Sequence, residues 1–414
     1  MKTVSSDKNP YAPLRISEFR YFIAGRFLIN TGLRMTVTVI AWWVYQLTNS
    51  PLALGIVGLS EVLTALSFAL YAGHYIDRNE KRSLLLKCIV LYVCCMLMFL
   101  ILSDDITTRS VSPWKITFMI YGIIAITGAI RAFLGPTFGA MISQIVPKKQ
   151  LPAAASISSA TWLISSILGH SAGGFFIAFL GIHNTFYVTI TFIAGSYVCI
   201  SLLRAKPVFI SVSKTTWQSV KQGFTYVFKT KELMGTLTLD LFAVLFGGAV
   251  AMVPVFAKDI LHTGPIGYGW LNAASDIGSI LSVTALTILP IKRKQGKIML
   301  LSVAGFGLFI IIFAISKVFW LSFIALMISG CMDGVSMIVR GTILQLKTPD
   351  ELRGRVMSVN MMFISSSNEL GQFESGIAAK LLGIIPSVIF GGCMTIGVVI
   401  ATWFKAPTIK EMEY

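Results

Sequence analysis

Charged side chains are scarce in this sequence. Only 13% of its 414 residues are charged and 55% are hydrophobic, whereas an average soluble domain carries roughly 25% charged residues. No Lys, Arg, Asp or Glu occurs in residues 150–203, and about 20 apolar residues in a helix cross a bilayer. The composition therefore excludes a soluble protein, and this stretch alone predicts two membrane spans joined by a polar turn at residues 181–185.

Signatures of nucleotide and metal chemistry are also missing. The sequence contains no phosphate-binding G-x-x-x-x-G-K-[ST] loop and no H-E-x-x-H zinc motif. These absences argue against a primary pump and against an enzyme, and we expect neither a cofactor nor a metal. The cysteines lie in apolar stretches, where a small buried hydrophobe is more common than a disulfide. They are Cys88, Cys94, Cys95, Cys199, Cys331 and Cys393.

Hydrophobic runs of membrane-crossing length recur along the whole chain. They are too long for the strands of a barrel and lack period-two alternation. The sequence therefore predicts an all-α membrane protein with twelve transmembrane helices. The predicted spans are residues 19–46, 52–76, 83–102, 116–146, 151–180, 184–203, 233–257, 266–291, 298–316, 318–346, 356–382 and 384–404.

Basic residues outnumber acidic residues 34 to 18, which raises the alternative of a nucleic-acid partner. Most of them, however, fall in alternate connections and in the two terminal tails. By the positive-inside rule this asymmetry predicts a multi-pass protein of the cytoplasmic (inner) membrane with both termini in the cytoplasm, and no nucleic-acid partner. The predicted inner side includes Lys2, Lys8, Arg15, Arg20, Arg78, Lys81, Arg82, Lys87, Lys148, Lys149, Lys214, Lys221, Lys292, Arg293, Lys294 and Lys297.

One long polar interruption, residues 205–232, divides the spans six and six. It predicts two homologous six-helix bundles, residues 1–204 and 233–414, joined by a cytoplasmic linker. Apolar residues recur at helical spacing within the linker, which favours an amphipathic helix on the inner membrane surface over a solvated tether. These apolar residues are Trp217, Val220, Phe224, Val227 and Phe228.

Short matches between the two halves support this division. Residues 50–55 (SPLALG) precede span two, and residues 264–269 (GPIGYG) precede span eight. Each is followed by a buried acid, Glu61 in the first half and Asp276 in the second. Transporter folds are commonly built from such repeats.

Residues 73–82 (GHYIDRNEKR) follow the second span. They resemble the G-x-L-A-D-R-x-G-R-R signature of the major facilitator superfamily at Gly73, Asp77, Arg78 and Arg82, whereas Glu80 replaces the second glycine. The resemblance implies a cytoplasmic latch, in which an aspartate at a helix end pairs with basic residues and holds the halves closed. An ordinary positive-inside loop, the alternative, explains the basic residues but not the spacing of the glycine and aspartate.

Spans four and five carry two further resemblances. Arg131 resembles the superfamily's fourth-helix arginine motif. Residues 165–174 resemble the G-x-x-x-G-P-x-x-G-G motif of proton-driven antiporters, although Ser165 replaces the first glycine and His170 the proline. The matching residues are Gly169, Gly173 and Gly174. His170 is able to titrate near neutral pH, and a packed, neutral histidine is the alternative.

Nearly the whole chain resembles the bacterial efflux branch of this superfamily that includes the enterobactin exporter. The closest stretches are residues 19–28, 239–261 and 351–376. The resemblance implies twelve spans in two six-helix bundles, alternating access around a central cavity, and export more strongly than any particular substrate. We expect a monomer that exports a siderophore-like or drug-like small molecule. An importer or an uncoupled facilitator of a small metabolite is the alternative. A channel would not need two repeated halves with a latch.

Ionisable side chains at membrane depth are functional candidates, because burying them is costly unless they are paired or hydrated. Acidic residues outnumber arginines at this depth, so one-to-one pairing leaves some carboxylates without a partner. Desolvation disfavours the charged form of such a carboxylate, which allows it to take up a proton near neutral pH. We expect protons as the coupling ion, carried by Glu61, Asp333 or Glu369. The other ionisable candidates are Arg26, Arg34, Arg131, Asp240, Asp276, Arg340 and Glu374.

Helical spacing groups several of these candidates. Arg26, Asn30 and Arg34 lie at positions i, i+4 and i+8 of span one. Asp333 and Arg340 lie seven residues apart on span ten. Residues at these spacings share a helix face, so both sets are expected to line the cavity.

Two further predictions concern contacts between helices. Glu61 and Arg131 lie at similar depth, which makes them candidates for a charge pair. Asn360, Asn368 and Gln372 of span eleven are candidates for cavity lining, with hydrogen bonding between helices as the alternative.

Overall fold

The computed structural model describes residues 10–207, 216–291, 293–349 and 352–413, without the side chains of residues 70, 216–221 and 249. Every regular element in these ranges is a helix. Residues used above that lie outside this description, in whole or in their side chains, are Lys2, Lys8, Lys214, Trp217, Val220, Lys221 and Lys292.

Fifteen α-helices follow one another along the described ranges. They are α1 (Ser17–Thr48), α2 (Pro51–Arg78), α3 (Lys81–Leu102), α4 (Asp105–Ser110), α5 (Pro113–Ile145), α6 (Leu151–Ser201), α7 (Thr216–Lys229), α8 (Lys231–Phe246), α9 (Val253–Val255), α10 (Gly264–Ile288), α11 (Gln295–Ile315), α12 (Phe319–Lys347), α13 (Arg353–Leu382), α14 (Ile384–Lys405) and α15 (Pro407–Lys410).

Ten stretches of the described chain are long and apolar enough to cross a membrane. The stretch Lys148–Ser201 contains two spans, because Gly181 (φ 77°, ψ 173°) breaks α6 at the predicted turn. Helix α13 supplies the remaining span, and its many serine, asparagine and glutamine side chains make it too polar for the apolar set. The predicted all-α fold, with twelve transmembrane helices in two six-helix bundles, is confirmed.

Glycine and proline end and begin helices at corresponding places in the two halves. Gly181 and Gly383 have positive φ angles of 77° and 90°, a conformation that glycine adopts without steric cost. The first separates spans five and six, and the second separates spans eleven and twelve. Pro51 and Pro265 lie in the first turns of α2 and α10, where a missing N–H is harmless.

Span seven differs from the single helix predicted for residues 233–257. Helix α8 ends at Phe246, and the chain continues through a 3-10 turn (Ala249–Met252), α9 and a π-helix (Phe256–Ile260). Gly247 and Gly248 weaken the helix at this point because they lack a Cβ atom. The Gly248 carbonyl accepts hydrogen bonds from the Ala251 backbone N–H and from the Ser375 hydroxyl, both at 3.2 Å.

The two halves meet along two helix pairs, α2 with α13 and α6 with α10. Glycines permit both contacts. A Cβ on Gly55 would lie 3.2 Å from the Gly376 Cα, and a Cβ on Gly174 would lie 2.8 Å from the Gly269 Cα. These glycines all lie toward the end of the bundle opposite Ser17, which we call the distal end. The other end, where α1 begins and α14 ends, is called the terminal end.

Candidate functional site

Arg131 of α5 lies between the halves and binds a carboxylate from each. Its Nη1 donates to Glu61 Oε1 of α2 at 2.6 Å and to Glu369 Oε1 of α13 at 2.7 Å. Helices α2 and α5 approach closely because Gly128 leaves room for the Glu61 carbonyl oxygen and the Thr64 hydroxyl. The pairing of Glu61 with Arg131 suggested by the sequence is present, and Glu369 is an additional partner from the other half.

The Glu61–Arg131–Glu369 cluster holds one carboxylate more than it has cations. The Arg131 side chain is 46% exposed, whereas the Glu369 side chain is 6% exposed. Glu369 Oε2 is buried and has no hydrogen-bond partner from another described residue. A buried carboxylate is stable as an anion only when it is paired and hydrogen-bonded, so Oε2 is the atom of the cluster best placed to accept a proton.

A second polar contact joins the halves between α6 and α10. Ser166 donates to Asp276 Oδ2 at 2.6 Å, and His170 Nε2 lies 4.0 Å from the same oxygen. The other ring nitrogen, Nδ1, lies 2.8 Å from the Thr38 hydroxyl of α1. His170 is buried, as expected for a packed histidine, and its protonation would create an ion pair across the halves.

The predicted stripe on α1 divides into two environments. Arg26 donates to the Ser158 hydroxyl and lies 5.8 Å from the centroid of the Phe138 ring. Arg34 lies 5.1 Å from the centroid of the Trp162 ring and forms neither a hydrogen bond nor an ion pair with any described residue. Four charged residues interact electrostatically with Arg34 and place it between the two inter-half contacts. They are Asp276, Arg131, Glu61 and Glu369.

The C-terminal half contains its own buried charges. Asp240 of α8 forms an ion pair with Arg340 of α12, and their side chains are 9% and 6% exposed. Asp333, two turns before Arg340, forms no ion pair within the described ranges. It lines a small pocket together with Asp240 and Ser336. The predicted face of span ten therefore points into this pocket between α8, α11 and α12, with Arg340 engaged by Asp240.

Helix α13 places its other polar candidates in different surroundings. Asn360 is buried, and its Oδ1 has no hydrogen-bond partner among the described residues. Asn368 is exposed, and Glu374 is partly buried without an ion pair in the described ranges. None of these three side chains forms a hydrogen bond or an ion pair with Arg131, whose described partners are Glu61 and Glu369.

The latch residues lie at the terminal end of α2 and the start of α3. Gly73, Asp77 and Arg78 are exposed, and the Asp77 carboxylate forms no ion pair with a described residue. Arg82 donates to the Ser201 carbonyl of α6 at 2.7 Å, within its own half. In this arrangement Gly73, Asp77, Arg78 and Arg82 form no hydrogen bond or ion pair with a described residue of the C-terminal half.

The glycines of the fifth-helix motif let α6 approach two neighbouring helices: Gly169 and Gly173 face α1, and Gly174 faces α10. A Cβ on Gly169 would meet the Arg34 side chain and the Thr31 carbonyl of α1, and one on Gly173 would meet Thr38.

Residues 169–173 also match the G-x-S-x-G pattern of hydrolases, but that motif requires a strand-to-helix turn. Ser171 instead lies inside α6 and donates to the Ile167 carbonyl at 2.7 Å.

A contact at the distal end was missed by the sequence interpretation. The Tyr45 hydroxyl of α1 donates to Asp259 Oδ2, and Lys258 Nζ donates to Asn49 Oδ1 at 2.7 Å. Trp42 and Tyr268 stack nearby, with ring centroids 5.5 Å apart. Lys258 and Asp259 belong to the π-helix, a feature frequent at functional sites, which hydropathy does not reveal.

No group of three or more His, Cys, Asp or Glu side chains within the described ranges is arranged to hold a metal ion. The ionisable groups of the candidate site are its carboxylates, its guanidinium groups and His170. Such groups exchange protons and ion-pair partners.

The sequence profile of a transporter family described as transmembrane secretion effector matches residues 8–414. The chain belongs to this family. It is a member of the bacterial efflux branch of the major facilitator superfamily, and it is a transporter of small molecules rather than an enzyme. The predicted membership is confirmed.

Relatives of this family member include characterised exporters. The multidrug efflux pump Tap of Mycolicibacterium fortuitum is 24% identical over 391 residues, which cover 90% of this chain and 90% of Tap. The enterobactin exporter EntS of Shigella flexneri is 23% identical over 349 residues, covering 82% and 79%. The crystal structure of a mutant nucleoside transporter NupG has the same fold, with a TM-score of 0.75 at 13% identity over 93% of this chain and 99% of NupG.

Proposed function

We propose that this family member exports a siderophore-like or drug-like small molecule in exchange for protons. The Glu61–Arg131–Glu369 cluster carries the proposal, because one guanidinium binds a carboxylate from each half and one carboxylate is in excess. A proton on Glu369 removes the charge that holds Arg131 to the C-terminal half. Protonation at one atom thereby biases the equilibrium between two arrangements of the halves.

We propose that the two arrangements are closed at opposite ends. In the described arrangement the distal end is held by Tyr45 with Asp259 and by Asn49 with Lys258, while Asp77 at the terminal end is exposed. In the second arrangement the distal contacts separate and Asp77 pairs with basic residues at the terminal end. The latch motif supports this proposal, because Asp77 forms no ion pair with a described residue in the arrangement whose closed end is the distal one.

Asp333 is a second candidate for proton binding. It shares a pocket with Asp240, whose charge is already matched by Arg340, so this group of charges also holds one carboxylate in excess. The pocket lies within the C-terminal half, where protonation does not act on a contact between the halves. Glu369 therefore has the more direct connection to the movement of the halves.

Transport by inside-out membrane vesicles tests direction, coupling and substrate together. Vesicles with an acidic interior should accumulate one compound class from a panel of siderophores, macrolides and lipophilic cations, and a protonophore should abolish the accumulation. Accumulation that survives the protonophore would identify an uncoupled facilitator. Uptake only by right-side-out vesicles would identify an importer. Either result would contradict the proposed proton-driven export.

The proposed orientation places both termini in the cytoplasm of a monomeric transporter of the inner membrane. Single cysteines at residues 1, 80, 215 and 414 should resist a membrane-impermeant maleimide in intact cells, and a cysteine in place of Thr107 should react. Thr107 belongs to α4, the short helix between spans three and four. Permeabilised cells provide the control, because all sites should then react. Labelling of residue 215 or 414 in intact cells would contradict the twelve-span orientation.

A further inference from the structure

Three side chains on two neighbouring helices form what we call the Arg34 cluster: Asn30 and Arg34 of α1, and Trp162 of α6. Asn30 and Arg34 are four residues apart and therefore share a helix face. The Arg34 guanidinium lies over the Trp162 ring, 5.1 Å from its centroid. The cluster lies between the two inter-half contacts, within electrostatic reach of both.

The N–H donors of the Arg34 guanidinium have no hydrogen-bond acceptor among the described residues. A guanidinium carries five N–H donors and no acceptor, yet within the described ranges Arg34 forms no hydrogen bond and no ion pair. None of the carboxylates near it forms an ion pair with Arg34: Glu61 and Glu369 bind Arg131 through their Oε1 atoms, and Asp276 Oδ2 accepts from a serine hydroxyl. The donors of Arg34 are therefore available to a group that the chain itself does not supply.

Asn30 supplies an independent sign of a missing acceptor. Its Nδ2 is buried and has no hydrogen-bond partner among the described residues. Buried amide groups are nearly always hydrogen-bonded in folded proteins. Two neighbouring donors on one helix face, one cationic and one neutral, together lack an acceptor.

Arg26 of the same helix does have a hydrogen-bond partner, so the lack of one distinguishes Arg34. It is the same residue type on the same face of α1, two turns nearer the terminal end. Its guanidinium donates to Ser158 and lies over the Phe138 ring. Arg26 is thus engaged within the N-terminal half, whereas Arg34 has only an aromatic ring beneath it.

Trp162 adds an aromatic surface beside these donors. Trp162 is 36% exposed, so part of this residue is not covered by the protein. A guanidinium over an aromatic face keeps its edge N–H groups free for a planar, bidentate acceptor such as a carboxylate.

We infer that the Arg34 cluster binds a carboxylate attached to a planar aromatic ring on the transported molecule. The carboxylate accepts two hydrogen bonds from Arg34 and one from Asn30 Nδ2, and the ring packs on Trp162. This assignment rests on the proposed transport function and specifies its substrate class as aromatic acids. It gives Arg34 and Trp162 the role of specificity-determining residues.

Binding to the purified full-length protein in detergent tests this assignment. We would measure the affinities of two matched pairs, 1-naphthoate with 1-naphthamide and salicylate with salicylamide, by calorimetry. Each carboxylate should bind at least about tenfold more tightly than its amide, because charge-assisted bidentate hydrogen bonds are the stronger ones. Arg34→Gln should abolish the difference, Arg34→Lys should retain part of it, and Trp162→Leu should weaken both members of a pair alike.

Arg109→Gln is the matched control, since it removes one positive charge from the exposed surface of α4 and should leave all affinities unchanged. Retained amide binding and a single size-exclusion peak show that a variant is folded. The inference is overturned if neither carboxylate binds saturably to the wild type, if the amides bind equally well, or if the preference survives Arg34→Gln. These measurements need no gradient, so a protein that prefers the acids but fails proton-driven transport contradicts only the proposed function.

Discussion

Arg131→Gln should abolish concentrative transport and destabilise the protein. The substitution removes the cation between Glu61 and Glu369 and leaves their carboxylates facing each other across the halves. Loss of one partner from a buried ion pair costs roughly 3–5 kcal/mol, and about half that is expected here because Arg131 is 46% exposed. Denaturant titration in micelles measures the change, and uptake by vesicles measures transport.

A second substitution, added to Arg131→Gln, shows whether the loss of stability comes from unbalanced charge or from lost contacts. Arg131→Gln combined with Glu369→Gln removes one of the two unpaired carboxylates, so the double variant should be more stable than Arg131→Gln alone. Residues in one ion-pair network are expected to show such non-additivity. Arg131→Lys keeps the charge but loses the planar guanidinium and should be intermediate. If the two substitutions destabilised additively, the charge-balance account of the cluster would be wrong.

Asp240→Ala should cause a large loss of stability. It removes the ion-pair partner of the Arg340 guanidinium in the C-terminal half, where both side chains are more than nine-tenths buried. Asp333, the remaining carboxylate beside the pocket, forms no ion pair with Arg340 in the described ranges. Removing one partner of a buried ion pair costs roughly 3–5 kcal/mol. The variant should unfold at lower denaturant concentration, or fail to accumulate in the membrane.

The double variant Asp240→Leu with Arg340→Met provides the control for this site. Apolar residues of similar size often replace a buried ion pair without loss of stability, so this variant should recover most of what Asp240→Ala loses. Asp105→Asn, on the exposed helix α4, should have no effect. A cost below about 1 kcal/mol for Asp240→Ala, in the range of exposed ion pairs, would mean that water solvates Arg340.

Much of the fold can be predicted from the sequence because a helix that crosses a bilayer needs about 20 consecutive, mostly apolar residues, and few other structures contain such runs. Gly181 is an example: it lies in the polar turn predicted at residues 181–185, and its positive φ angle breaks α6 there. Span seven shows the limit. Its hydropathy is that of one helix, while the break after α8 lies at Gly247 and Gly248, where the Ser375 hydroxyl donates to the Gly248 carbonyl.

The candidate site was only half predictable for a related reason. Glu61 and Arg131 belong to one half, and their similar depths suggested a pair. The third member, Glu369, reaches Arg131 only because the halves dock through α2 and α13, and no local pattern encodes that docking. Lys258 and Asp259 were missed because they lie at the distal end of span seven, where charged residues are ordinarily exposed to water.

Proton movement driven by substrate tests the central claim most directly. Proteoliposomes containing the purified protein and a pH-sensitive dye should show proton flux when the transported compound is added to one side. Glu369→Gln should abolish this flux and the accumulation against a gradient, while exchange of labelled for unlabelled compound continues. Glu411→Gln, on the exposed C-terminal segment, should behave as the wild type. Full substrate-driven proton flux in a folded Glu369→Gln variant would contradict the account.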